Sequence, residues 1–191
     1  QLGEAWTWEH LALTRARVIA GNPTLADDVE QVRREVLAAR GEPERVIGDT
    51  AEMRARIFAA KAPDGEWEAK VGPGRLQDIE LFAQSCALRA ADPGRRVEGQ
   101  LRAGLRAGFM TSTDEQGLQA AYRFLWRLQA GGRLLSDKPL DMDAIGEGGR
   151  AFLLRETGMS DLVALRSQLT GHVARVAEIV ARGLGQDVSR G

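Results

Sequence analysis

Residues 112–129 read STDEQGLQAAYRFLWRLQ. Ser112 and Glu115 have the spacing of a capping box, in which two side chains satisfy the free amide groups at the start of a helix. Apolar residues then recur every three or four positions, at Leu118, Tyr122, Leu125 and Leu128. This is the period of one face of an α-helix, so the segment predicts a helix that begins at Ser112.

The N-terminal region shows the same period, interrupted by turn-forming residues. Apolar residues from Trp8 onward predict a first helix that ends at Gly21. Asn22 and Pro23 have the character of a helix cap and a first turn, and this second helix is expected to end near Gly41. Its inward-facing stripe is predicted to contain Leu25, Val29, Val32 and Val36.

The whole sequence therefore predicts an all-α helical bundle of about six to eight helices. Residues 1–191 are expected to form a single helical domain. One short extended segment is predicted near 66–71, where Trp67 and its alternate neighbours are apolar. Residues 131–149 are rich in Gly, Asp and Pro, which predicts a mobile connection.

Composition excludes several classes of function. The 191 residues contain 26 basic and 27 acidic side chains, a balance that argues against a nucleic-acid-binding protein. No apolar run approaches the roughly 20 residues of a membrane span. Cys86 is the only cysteine and no ligand spacing is present, so no metal site is expected. With no export leader visible, a cytoplasmic location is expected, and the lack of an initiator Met suggests a fragment.

Charged residues interrupt two of the apolar arcs. Arg15 falls inside the arc of the first helix, and Glu80 falls inside the arc of a helix that starts near Gly74. Because an unpaired buried charge is costly, the two are expected to meet each other or a common polar partner. A structural ion pair, an arginine that extends to water and a functional pair all fit this pattern. Asp78 lies in the first turns of the same helix, where its dipole favours a carboxylate.

Gly72, Pro73 and Gly74 precede that helix, with Lys70 and Arg75 beside them. Backbone amides at a helix N-terminus can hold an anion, and nearby cations favour this. The same three residues also form a simple turn, so both interpretations stay open.

Three segments resemble the glutamine-synthetase adenylyltransferase family. Residues 5–21, AWTWEHLALTRARVIAG, resemble a signature of this family, and residues 122–129, YRFLWRLQ, are similar to its late helix. Residues 70–84, KVGPGRLQDIELFAQ, are similar to its Lys-x-Gly-x-Gly-Gly-x-x-Asp-Ile-Glu-Phe segment, with Arg75 in place of the second glycine of the pair. The sequence of the first segment resembles the corresponding segment in the second, adenylylating half of these enzymes.

The resemblance implies a C-terminal helical domain of a larger nucleotidyltransferase. Such multifunctional enzymes transfer AMP from ATP to a tyrosine of glutamine synthetase in one half and remove it in the other, which regulates nitrogen assimilation. Their catalytic Gly-Ser-x-Asp-x-Asp motif holds magnesium ions and has no counterpart here. Because AMP transfer needs those carboxylates, no catalytic residue is expected in this chain, which is predicted to be inactive alone and to bind neither ATP nor Mg²⁺ tightly.

Within the parent enzyme, the resemblance suggests a face that closes on the upstream nucleotidyltransferase domain. Its candidate nucleotide-facing or interface-facing residues are Lys70, Arg17, Gly72 and Gly74, and the charges expected to orient them are Glu9, Arg15, Asp78 and Glu80. An apolar patch is expected to be exposed around Trp6, Trp8 and Trp67. The alternatives are a docking module for glutamine synthetase or the PII signalling protein, and a purely structural spacer.

Overall fold

The computed structural model describes residues 5–39 and 42–186. Within these residues it contains eight α-helices and no strand, which confirms the predicted all-α class. None of these helices has the length and apolar character needed to cross a membrane. The helices are α1 Thr7–Leu13, α2 Pro23–Ala39, α3 Pro43–Ala60, α4 Leu76–Arg89, α5 Val97–Arg106, α6 Ser112–Leu135, α7 Gly146–Thr157 and α8 Leu162–Gly183.

Helix α4 lies at the centre of the bundle and is buried on two sides. Ile79 and Phe82 are fully buried in a large cluster with residues of α5, α6, α7 and α8. On the other side, Leu81 and Leu88 pack in a second, smaller cluster with Leu11, Leu37 and Val46 of α1, α2 and α3. Burial of apolar surface on both sides holds α4 in place, and the candidate site is built against this helix.

Helix α6 has the predicted capping box, displaced by one residue. Thr111 caps the helix: its Oγ1 accepts the amide of Asp114 at 3.1 Å, and the Asp114 carboxylate accepts the Thr111 amide at 3.3 Å. Asp114 also pairs with Arg182 of α8 at 2.9 Å, a contact that was not predicted from Ser112 and Glu115. The predicted stripe is confirmed, because Leu118, Leu125 and Leu128 are buried.

Helix α1 ends at Leu13, eight residues before the predicted end at Gly21. Arginines from elsewhere in the chain take the backbone carbonyls that a longer helix would have used. Arg33 donates to the carbonyls of Leu13 at 3.0 Å and Thr14 at 2.7 Å, and Arg95 donates to that of Ala16 at 2.7 Å. Satisfied carbonyls remove the need for another helical turn.

Helix α2 begins as predicted, since the Asn22 Oδ1 accepts the amide of Thr24 at 2.8 Å. Its predicted inward stripe is wrong. Arg33 and Leu37 face the interior instead, and Arg33 is only 3% exposed. The helix is turned to bring that guanidinium onto its carbonyl partners, so the stripe residues are left at the surface, with Leu25 61%, Val29 48% and Val32 58% exposed.

The irregular segment between α6 and α7 is shorter than the predicted connection over 131–149. Helix α6 continues to Leu135 and α7 begins at Gly146, so residues 136–145 form the connection. The Asp141 Oδ1 accepts the amide of Asp143 at 2.8 Å. Asp141 is therefore a turn-forming residue, as the sequence indicates for this Gly- and Pro-rich region.

Candidate functional site

The site is built on the irregular segment that precedes α4, residues 65–75, which we call the α4 loop. Its burial alternates as predicted, with Trp67, Ala69 and Val71 buried. It forms no strand, because its carbonyls pair with the first turn of the helix: Ala69 accepts the amide of Leu76 and Lys70 accepts that of Gln77, both at 3.0 Å. The backbone of the predicted extended segment is therefore paired locally, with the helix that follows it.

Asp78 anchors the α4 loop from the first turn of α4. Its side chain is fully buried and makes a two-pronged ion pair with Arg54 of α3, with Nε to Oδ1 at 2.6 Å and Nη2 to Oδ2 at 3.0 Å. The Oδ2 also accepts the amide of Gly74 at 2.7 Å, and Arg54 Nη1 donates to Gln186 at 2.7 Å. Asp78 lies in the first turn of α4, as the sequence predicts, and its buried carboxylate faces α3 and the α4 loop.

Two of the three glycines in the α4 loop, Gly72 and Gly74, are required by geometry. Gly74 has a φ of +75°, and a Cβ there would lie 2.0 Å from the Val173 carbonyl oxygen of α8. Gly72 has a φ of +116°, and its Cβ would lie 2.7 Å from the Pro63 side chain. Both positions favour a residue without a Cβ, and the Gly74 amide is already bound to Asp78.

Arg15 and Glu80 meet, as the sequence predicts. Arg15 Nη1 lies 3.6 Å from Glu80 Oε2, and the side chains are 50% and 27% exposed, so the pair lies at the surface instead of in the core. The hydroxyl of Tyr122 belongs to the same polar region. Burial raises the pKa of Tyr122, and the nearby carboxylates of Glu80 and Glu98 raise it further.

The remaining predicted residues lie on separate parts of the surface. The Glu9 carboxylate accepts the Trp6 amide at 2.7 Å at the start of α1. Arg17 lines a cavity of about 460 Å³ beside α2, and Lys70 lines a different cavity of about 240 Å³ beside α6. The structure therefore does not bring Arg17 and Lys70 to one site.

The expected apolar patch is only partly confirmed. Trp6 is 68% and Trp8 55% exposed, but Trp67 is 7% exposed because it packs into the main cluster. The Arg166 guanidinium of α8 lies 5.5 Å from the centre of its ring. A larger apolar surface lies elsewhere, in the cavity beside α2, and we call it the α2 groove: Leu13, Ala16, Val18, Leu25, Val29, Val32 and Val36.

Sequence reasoning missed Arg54 and the α2 groove. Arg54 lies 24 positions before Asp78 on a helix rich in arginine, so no local signal selects it. The sequence did contain a signal for the α2 groove. Arg33 and Leu37 form an alternative inward face of α2, one position away from the predicted stripe. Only the carbonyl partners of Arg33 decide between the two faces.

Residues 49–183 match the family model described as GlnD PII-uridylyltransferase, which covers more than half of the chain, so the chain belongs to this family. The match begins in α3, and it includes Arg54, the α4 loop and α4.

Curated relatives are named bifunctional glutamine synthetase adenylyltransferase/adenylyl-removing enzyme. The chain is 34% identical over 189 residues to that of Rhodopseudomonas palustris (strain BisB5), covering 96% of the chain and 19% of the relative. It is 32% identical over 175 residues to that of Brucella suis biovar 1, covering 90% and 18%. The resemblance found in the sequence is thus confirmed, and the chain spans about a fifth of the length of these relatives.

Proposed function

We propose that this chain is a helical accessory domain of a cytoplasmic enzyme that transfers AMP from ATP to a tyrosine of glutamine synthetase and, in its other half, removes it. The names of the relatives support the enzyme class. The chain corresponds to the adenylylating half. Magnesium and ATP bind upstream, at a nucleotidyltransferase domain, and the chain alone is inactive.

One observation carries the accessory role. Asp78 is held by Arg54 and by the Gly74 amide, so the α4 loop has a fixed position on α4. Lys70 in the same loop is exposed, and its ammonium makes no hydrogen bond or ion pair with any described residue. A cation held on a fixed loop and free of partners is suited to meet a phosphate of a neighbouring site.

The test uses the longer protein that includes the upstream domain. Lys70→Ala is expected to lower the turnover of AMP transfer by about tenfold, with the affinity for glutamine synthetase unchanged, and Arg17→Ala tests whether the second predicted cation contributes. Arg127→Ala is the matched control, because Arg127 is an exposed cation on α6 outside both cavities. Equal turnover in all four proteins would contradict the accessory role.

The α2 groove favours a second function, docking of glutamine synthetase or the PII signalling protein. Leu25, Val29 and Val32 form an exposed apolar surface of the kind that partner proteins cover. Val29→Asp would then weaken partner affinity and leave turnover at saturating partner unchanged. Val163→Asp is the control, since Val163 is 73% exposed on α8 and lies outside the groove.

A further inference from the structure

All three lysines of the chain line one cavity. Lys61, Lys70 and Lys138 are the only lysines among 26 basic residues. They come from three separate segments, the end of α3, the α4 loop and the connection after α6, yet each lines the same cavity of about 240 Å³. Arg133 of α6 is a fourth cation at its wall. Long-range folding therefore brings together the whole lysine content of the molecule.

The three ammonium groups make no ion pair with any residue that the structure describes. Every ion pair among the described residues uses an arginine. Lys61, Lys70 and Lys138 are exposed, and none of their side chains bonds to another described residue. An anion bound among cations that line one cavity is attracted by each of them.

Three acidic residues, Asp64, Glu68 and Asp137, also line the cavity. Glu68 lies beside the lysines, and its Oε1 accepts the backbone amides of Lys70 at 2.7 Å and Val71 at 3.1 Å. The Asp137 carbonyl accepts a hydrogen bond from Arg133 at 2.9 Å, which holds that cation at the wall. The four cations of this cavity outnumber its three carboxylates by one.

We propose that this cavity binds a phosphate-bearing small molecule. Lysine ammoniums bind phosphate oxygens as point charges, and the volume is below the about 300 Å³ at which drug-sized sites begin, so it suits a phosphate or diphosphate group. A second cavity of about 530 Å³ adjoins it and shares Trp67, Lys138, Pro139 and Leu140, which gives room for an organic portion. The site goes beyond the proposed function, since this chain builds it without an upstream domain.

Calorimetric titration of the chain with inorganic pyrophosphate tests the proposal. Saturable binding is expected, weakened about tenfold in Lys61→Gln with Lys138→Gln and little changed in Arg127→Ala, which removes a cation of α6 outside the cavity. Binding that is absent, unaffected by the lysine changes, or weakened equally by Arg127→Ala would overturn it. Because Lys61 and Lys138 have no place in the proposed function, the two proposals can fail separately.

Amine acetylation gives an independent measurement that does not depend on any variant. Mass spectrometry resolves Lys61, Lys70 and Lys138 as separate sites. Pyrophosphate is expected to slow acetylation of Lys61 and Lys138 by severalfold. Equal rates with and without pyrophosphate would overturn the proposal.

Discussion

Arg54 of α3 donates hydrogen bonds to both carboxylate oxygens of Asp78 in α4, at 2.6 and 3.0 Å, and the carboxylate is fully buried. Removal of one partner from such a pair leaves an uncompensated buried charge. We expect Arg54→Met to lower the free energy of unfolding by about 3 to 5 kcal/mol, measured by urea denaturation.

The matched control for this ion pair is Arg56→Met on the same helix. Arg56 pairs with Glu52, but the two side chains are 74% and 62% exposed. A pair in water contributes less than about 1 kcal/mol. Similar losses for Arg54→Met and Arg56→Met would show that the buried pair does not anchor the α4 loop.

Gly74→Ala is expected to destabilise the fold by about 3 to 5 kcal/mol, because the added methyl group would collide with the Val173 carbonyl of α8 and the positive φ would be strained. Gly65→Ala separates the two causes. Gly65 also has a positive φ, +89°, but no atom lies within 4 Å of its Cβ position. It should therefore cost only about 1 to 2 kcal/mol, by thermal or urea unfolding. A smaller loss at Gly74 than at Gly65 would contradict the close approach of α8.

Cys86 should be inert in the folded protein. Burial raises the pKa of its thiol to about 12, so almost no thiolate is present at pH 8. Iodoacetamide is expected to label Cys86 slowly in buffer and rapidly in concentrated urea, followed by mass spectrometry. Equal labelling rates in the two conditions would mean that the α4 core opens freely.

His172 should make stability depend on pH. Burial lowers its pKa from 6.5, and its Nε2 lies 2.8 Å from the Gln168 amide, which can donate to a neutral ring. Below pH 6.5 the unfolded chain then binds more protons than the folded one, so the free energy of unfolding falls until the folded pKa is passed. Between pH 7.5 and 5.5 the native protein should lose more stability than His172→Gln, and the opposite order would contradict a lowered pKa.

Local sequence patterns were sufficient to predict that the chain is helical, but not which face of each helix is buried. The period at Leu118, Leu125 and Leu128 identifies a buried face of α6, because no competing face exists there. In α2, the valine stripe competes with Arg33 and Leu37, and the outcome depends on carbonyls of Leu13 and Thr14 that a sequence pattern does not represent.

In the candidate site too, some contacts could be predicted from the sequence and others depend on how the helices pack. Arg15 and Glu80 could be paired from the sequence because each breaks an apolar arc, and an unpaired charge there would be costly. The partner of Asp78 could not be predicted from the sequence, since Arg54 is one of many arginines. Its pairing with Asp78 depends on the packing of α3 against α4. Convergence of the lysines is likewise a property of the folded chain alone.

The two-sided burial of α4 places its neighbours in two clusters of unequal size. Among the described residues, the buried apolar side chains of α1, α2 and α3 lie in the small cluster, whereas the later helices form the large one. Amide hydrogens of the first three helices should therefore exchange with solvent sooner than those of α4 and α6, through a sub-global opening. Such an opening would expose the Leu81 side of α4 while its Phe82 side stays closed.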